Sequence, residues 1–167
     1  MNDVEVGAME KMAAHQQAIL HRAFSVFLFN DQGEMLLQQR AFSKYHSAGL
    51  WTNTCCSHPK PGESLDKAVH RRLKEEMGIE ADVEKAFDFI YQAELPDHLN
   101  EHEFDHVFIG KYQGPILLND LEVAGYLYLS IEEVQLNLQS NPEEYTIWFK
   151  IAFSRVVEWY KNNFSKI

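Results

Sequence analysis

The chain has 167 residues, 46% of them hydrophobic, which suits one well-buried core and leaves a second domain without material. Its 15 basic and 25 acidic residues give a formal charge of −10, which opposes nonspecific binding to nucleic acid or anionic membrane, so any anionic ligand must be met by local cations. No apolar run approaches the roughly 20 residues of a bilayer span, and the acidic start MNDVEVGAMEK lacks the basic-then-apolar order of a secretory leader, so a cytoplasmic protein is expected.

In chain order, residues 22–29 (RAFSVFLF) form a near-continuous apolar and aromatic run that suits a strand buried on both faces. Asn30, Asp31, Gln32 and Gly33 supply a turn, and residues 34–40 (EMLLQQR) read as the hairpin partner. A short strand is expected over 50–54, then a loop through His58, Pro59, Lys60, Pro61 and Gly62, where proline and glycine interrupt helix and ladder alike. From Ser64 the pattern turns helical: Leu65, Val69 and Leu73 recur every four residues, and Gly78 follows as a stop. Strands are expected over 83–94 and 102–112, joined by the polar LPDHLNE, with a further one over 123–129. Ser130 and Glu133 make a capping box for a short helix to about Leu138. A longer helix is expected from Asn141-Pro142-Glu143-Glu144 toward Phe164, burying Ile147, Trp148, Ile151, Ala152, Val156 and Trp159. This order argues for a single α/β (α+β) domain over 1–167, a mixed sheet in layers flanked by helices.

The stretch WTNTCCSHPKPGES (51–64) holds both cysteines of the chain, Cys55 and Cys56. A disulfide between neighbours strains the peptide, and no third cysteine is present. Zinc-finger spacing also fails, since C-C-x-H has neither the C-x2-C nor the H-x3-H separation that lets side chains converge. Buried structural thiols and a catalytic cysteine beside a histidine remain as the two readings.

Along the helix after this loop, Arg72 and Glu76 lie four apart and project from one face with Leu65 and Val69. As a solvated pair they contribute only a few tenths of a kcal/mol, on the order usual for such pairs. As a functional pair they join a carboxylate for a hard cation to a guanidinium for phosphate oxygens. The segment 57–79 resembles the Nudix box, G-x5-E-x7-R-E-U-x-E-E-x-G-U with U aliphatic: Glu63, Arg71, Leu73, Glu75, Glu76, Gly78 and Ile79 fall on its register. Two positions depart, Ser57 for the leading glycine and Arg72 for a glutamate. Exchanging a carboxylate for a cation weakens the metal clustering a Nudix hydrolase uses and favours gripping a diphosphate over cleaving it.

Further motifs resemble one branch of that fold, the type 1 isopentenyl-diphosphate delta-isomerases: K-x-x-A-H at 11–15, H-x-A-F-S at 21–25, R-A-x-S-K at 40–44 and G-x-W-T-N-x-x-C-x-H-P at 49–59, then G-E-S at 62–64, Tyr91, E-x-E at 101–103 and Trp148. The resemblance covers about residues 10–152. It implies a Nudix-like fold and a 1,3-allylic proton shift interconverting isopentenyl and dimethylallyl diphosphate for isoprenoid biosynthesis, through a tertiary carbocation and two acid/base groups on opposite faces of the substrate. By the same resemblance His15, His21, His58, Glu101 and Glu103 hold one divalent ion, Mn2+, Zn2+ or Mg2+. A Mg2+ binds Glu76 and the substrate diphosphate, helped by the carbonyl of Cys56, and Lys11, Arg40, Lys44 and Arg72 meet the diphosphate. Cys56 and Glu103 are the acid/base pair, with Glu103, assisted by Tyr91, as the expected proton donor; the face of Trp148 stabilises the cation.

Glu101 and Glu103, two apart on an extended segment, face the same way. Taken singly, His15, His21 and His58 read as ordinary histidines, because the step from His15 to His21 is no diagnostic metal spacing; the joint match reverses that. His46, His70, His98, His102 and His106 are read as surface or core histidines, and Cys55 as a packing residue. Two further departures are noted: the segment ahead of Lys11 is short, so a reduced first sheet edge is expected, and Ala48 replaces a proline. A prenyl diphosphate is the partner implied, with neither nucleic acid nor membrane. A Nudix hydrolase and a non-catalytic diphosphate sensor are the rival functions; Arg72 counts against the first, and the retained Cys56 and Glu103 against the second.

Overall fold

The computed structural model describes residues 3–96 and 99–164, so His98 lies outside it. A short helix α1 (Lys11–Gln16) leads into β1 (His21–Phe29), β2 (Met35–Arg40), β3 (Trp51–Thr52) and β4 (Cys55–Ser57). Helix α2 (Leu65–Met77) follows, then β5 (Val83–Glu94), β6 (Asn100–Lys111), β7 (Val123–Leu129), α3 (Ile131–Ser140), a 3-10 turn (Pro142–Glu144) and α4 (Ile147–Asn163). No described helix is long and apolar enough to cross a membrane.

The seven strands form one mixed sheet with the path β3-β2-β1-β6-β5; β4 also pairs with β1 and β7 with β2. β1 is its axis, antiparallel to β2 and β4 along one edge and parallel to β6 along the other. Its apolar run is explained by period-two alternation between two covered faces. Phe24, Val26 and Leu28 pack with Ala68, Val69, Leu73 and Met77 of α2, whereas Phe27 and Phe29 pack with Trp148, Phe149, Ala152 and Phe153 of α4.

Helix α2 is bounded as its residues dictate: the Ser64 side chain accepts from Lys67 N, and Gly78 closes the last turn at φ +66. A Cβ at Gly78 would stand 2.7 Å from the Leu117 Cβ, so both the left-handed backbone and the close approach require glycine. The capping box of α3 is formed by Ser130 and Glu133 as its spacing implies.

Three expectations are corrected and one element is added. The 50–54 strand is two strands, β3 and β4, because the Asn53 side chain bonds Val26 O and Cys55 O and turns the chain between them. The last helix begins at Ile147 rather than near Pro142: Thr146 N donates to Trp51 O at 3.0 Å, which keeps Tyr145 and Thr146 extended against β3. Its buried stripe is shifted, with Phe149, Phe153 and Tyr160 inside and Ile151 40% exposed. The six-residue α1, capped by the Glu10 side chain on Ala13 N, has no counterpart in the periodicity, and no strand precedes it among the described residues.

Candidate active site

On β4 neighbouring side chains point to opposite faces of the sheet. Cys55 joins the core under α2, and Cys56 lies on the α4 side, opposite Ser25 of β1. Both thiols are free, as the adjacency argument requires. The preceding Thr52, Asn53 and Thr54 are fully buried, and each is bonded to something the site needs. Thr52 Oγ1 accepts from the Trp148 indole Nε1 at 2.9 Å and fixes that ring. Asn53 Nδ2 donates to Cys55 O at 2.6 Å, and Thr54 Oγ1 donates to Leu36 O at 2.8 Å. These bonds hold the short β4 in place and so aim Cys56.

Across β1, strand β6 presents Glu101, Glu103 and Asp105 on one face, as the two-residue spacing dictates. His21 stands in register with Glu103, and Tyr91 of β5 pairs with Glu103 on the other side. The Tyr91 hydroxyl donates to Glu103 Oε2 at 2.7 Å, while His58 Nε2 lies 2.8 Å and His21 Nε2 3.7 Å from Glu103 Oε1. His15 arrives from α1 with Nε2 3.3 Å from Glu101 Oε2. His15 Nδ1 donates to Lys11 O at 2.8 Å and His21 Nδ1 to Ile19 O at 2.7 Å, which leaves each Nε2 as a lone pair turned into the cluster. Among the described residues, His15 Nε2, His21 Nε2 and Glu101 Oε2 are buried without a hydrogen-bond partner. Buried lone pairs of rings and carboxylates facing one another are stable only around a cation, so this donor set fits a divalent ion. The ligand atoms of His15, His21, His58 and Glu103 lie within 4.8 Å of one another, as do those of His15, His46 and Glu101. His46, read from sequence as an ordinary histidine, therefore belongs to the cluster; its loop carries no periodicity, so only tertiary structure reveals it.

Burial pushes the Cys56 thiol up to about 12, so it is protonated at neutral pH. Burial also opposes ionisation of Glu103, but the neighbouring His21 and His58 rings outweigh it and hold the carboxyl well below the usual range. Burial and the neighbouring Glu103 raise Glu101 to about 7. Burial, with Arg40 and Lys11 nearby, lowers His46 to about 3 and keeps it neutral.

A cleft brings together Lys11, Arg40, His46, Cys56, His58, Glu101, Glu103 and Trp148. Arg40 stacks over the Trp148 ring, 5.3 Å from its centroid. Lys44, Arg72 and Glu76 do not line it. Arg72 binds Glu75 at 2.9 Å, Glu122 at 3.2 Å and Glu76, and Glu122 in turn pairs with Lys44. Gln38 links this network to β4, donating to Glu76 Oε2 at 2.9 Å and to Thr54 O at 2.8 Å. Arg71 grips Glu63 through two bonds, at 2.7 and 2.9 Å, tying the 58–63 loop to α2. The sequence reading missed the parts played by Gln38, Thr52, Asn53 and Glu122; of these only Thr52 and Asn53 carried a signal, inside the W-T-N motif.

A model of the NUDIX domain matches residues 19–149. The chain is 45% identical to "Isopentenyl-diphosphate Delta-isomerase 2" of Photorhabdus laumondii over 95% of its own length and 92% of the relative's. It is 49% identical to the "Isopentenyl-diphosphate Delta-isomerase" of Serratia proteamaculans over 89% and 83% of the two chains. Among solved structures, the MutT protein of Methanosarcina mazei superposes with a TM-score of 0.69 at 24% identity, covering 86% of this chain and 96% of that one, a likeness of fold.

Proposed function

The chain belongs to the NUDIX family and, within it, to the isopentenyl-diphosphate Delta-isomerases, and from that premise we propose how its residues divide the work. It is an isomerase that interconverts isopentenyl and dimethylallyl diphosphate. The observation that carries the division is the placement of Cys56 and Glu103 on strands pairing with opposite edges of β1, both lining one cleft with the Trp148 indole in its wall.

In the resting chain Cys56 is a thiol and Glu103 a carboxylate. Isopentenyl diphosphate entering that state would meet its acid at Cys56 and its base at Glu103, whereas the family resemblance favours Glu103 as the donor. The Cys56 S–H proton goes to the terminal alkene carbon and leaves a tertiary carbocation. Glu103 then removes a proton from the adjacent methylene, with Tyr91 donating to its other oxygen and keeping it aimed. Trp148, immobilised by Thr52, offers its ring face to the cation, a contact worth about 2 kcal/mol when dry.

His15, His21, His58, Glu101 and Glu103 would hold one Mn2+, Zn2+ or Mg2+, whose charge when bound favours the ionised form of Glu103. Glu76 would hold a Mg2+ shared with the diphosphate. Lys11 and Arg40, at the cleft, receive the diphosphate, and Lys44 and Arg72 join them on release from Glu122 and Glu76.

Proton NMR of the protein with isopentenyl diphosphate and Mg2+ in D2O, with phosphate release followed on the same sample, tests the reading. Deuterium entry and dimethylallyl diphosphate without phosphate release are expected. Phosphate release without isomerisation would mean a hydrolase, and binding without either reaction a sensor.

A further inference from the structure

His46 is 8% exposed, on the loop between β2 and β3, and among the described residues its ring hydrogen-bonds only the side chain of its neighbour Ser47. Two features hold the loop in place. Arg40 Nη2 donates to His46 O and Arg40 Nε to Ser47 O, both at 3.2 Å, and Ser47 takes a left-handed φ of +50, rare for a residue with a side chain. The ring is wedged edge-on against the Trp148 indole, centroids 6.0 Å apart, and lies 5.9 Å from the ring of His15. Its Nδ1 sits 3.3 Å from the Ser47 hydroxyl, and its Nε2 is 3.9 Å from Glu101 Oε1. That distance is too long for a hydrogen bond and short enough for two atoms sharing a cation.

The two groups of donor atoms share His15. With Nδ1 engaged on Lys11 O, His15 has one free nitrogen and can serve one ion, which is the ground for joining the two groups. We propose that His46 is a further donor to that ion, so that His15, His21, His46, His58, Glu101 and Glu103 enclose it. The inference rests on reading the His/Glu cluster as an ion site. Two consequences follow. Four imidazoles favour Zn2+ or Mn2+ over Mg2+, whose preferences run to carboxylates and water. A sphere filled by protein groups leaves the substrate no direct place on this ion, which then acts as a structural and electrostatic element.

The test is the Zn2+ dissociation constant of the full chain, read by competition with a chromophoric chelator, together with the visible spectrum of the Co2+-loaded protein. His46→Phe keeps a ring against Trp148 and removes the donor; His46→Ala removes both, and His21→Ala is the control for the site itself. Both His46 variants are expected to weaken Zn2+ by about tenfold or more, at least the effect of losing an outer partner, and to alter the Co2+ spectrum. A wild-type constant and spectrum in His46→Phe, with Zn2+ lost from His21→Ala, would overturn the role of His46 alone. Unchanged constants in both would overturn the ion site and this inference with it.

Discussion

Around α1 and β6, ring nitrogens and carboxylate oxygens face each other buried and without partners, whereas along α2 each guanidinium has carboxylate partners already. The two regions handle charge in opposite ways. The lone pairs gathered around His15, His21 and Glu101 form a group that could hold a cation. The charges of Arg72 and Lys44 are paired with Glu75, Glu76 and Glu122, and on the proposed reading a diphosphate would exchange Glu122 and Glu76 for phosphate oxygens. Lys44 and Arg72 are thus neutralised by neighbouring carboxylates, whereas Arg40, among the described residues, bonds only backbone carbonyls.

The contrast is broken most severely at Glu103. Glu103→Gln keeps the shape and removes the charge shared by His21, His58 and Tyr91. Isomerisation followed by NMR should fall by ~10²–10⁴-fold, the range of general acid–base contributions; a loss under tenfold would remove Glu103 from the chemistry. Next in size is Arg72→Glu, which restores the carboxylate of the ordinary box among Glu75, Glu76 and Glu122. Loss of a charge-assisted bond worth roughly 1.5–3 kcal/mol should raise the KM for isopentenyl diphosphate by about 10–100-fold. An unchanged KM would show that Arg72 does not meet the diphosphate.

Asn53→Ala strips two buried carbonyls, Val26 O and Cys55 O, of their donor between the two regions. It should cost about 1–3 kcal/mol in urea unfolding, and a neutral result would mean the turn into β4 is held by other bonds. The smallest effect is expected at Glu63, at the molecular surface, whose carboxyl is lowered to about 2 by Arg71 and by Lys60 N. A folded-state value below the unfolded one stabilises above the unfolded value and is lost as pH falls through the folded one. The melting-temperature gap between wild type and Glu63→Gln should therefore be full above about pH 4.5 and close toward pH 2. A gap constant across that window would contradict the Arg71 assignment.

Much of this was legible in the sequence wherever one residue pattern had one physical solution. The run in β1 could only be a strand covered twice, and the Ser64, Gly78, Ser130 and Glu133 caps fixed helix ends locally. The neighbouring cysteines could not pair, and the E-x-E spacing put Glu101 and Glu103 on one face. What escaped was set by contacts far along the chain. The start of α4 depends on Trp51 O, the end of β3 on a side chain reaching back to Val26, and the role of His46 on how an irregular loop meets Glu101. Lys44 and Arg72 were expected at the ligand, and their pairing with Glu122 was invisible because Glu122 lies 50 residues beyond Arg72.

The most direct measurement is the turnover and substrate affinity of Cys56→Ala. The expected result is isopentenyl diphosphate affinity within an order of magnitude of wild type and turnover reduced by at least ~10²-fold. Near-normal turnover would contradict the placement of Cys56 as the acid across β1 from Glu103.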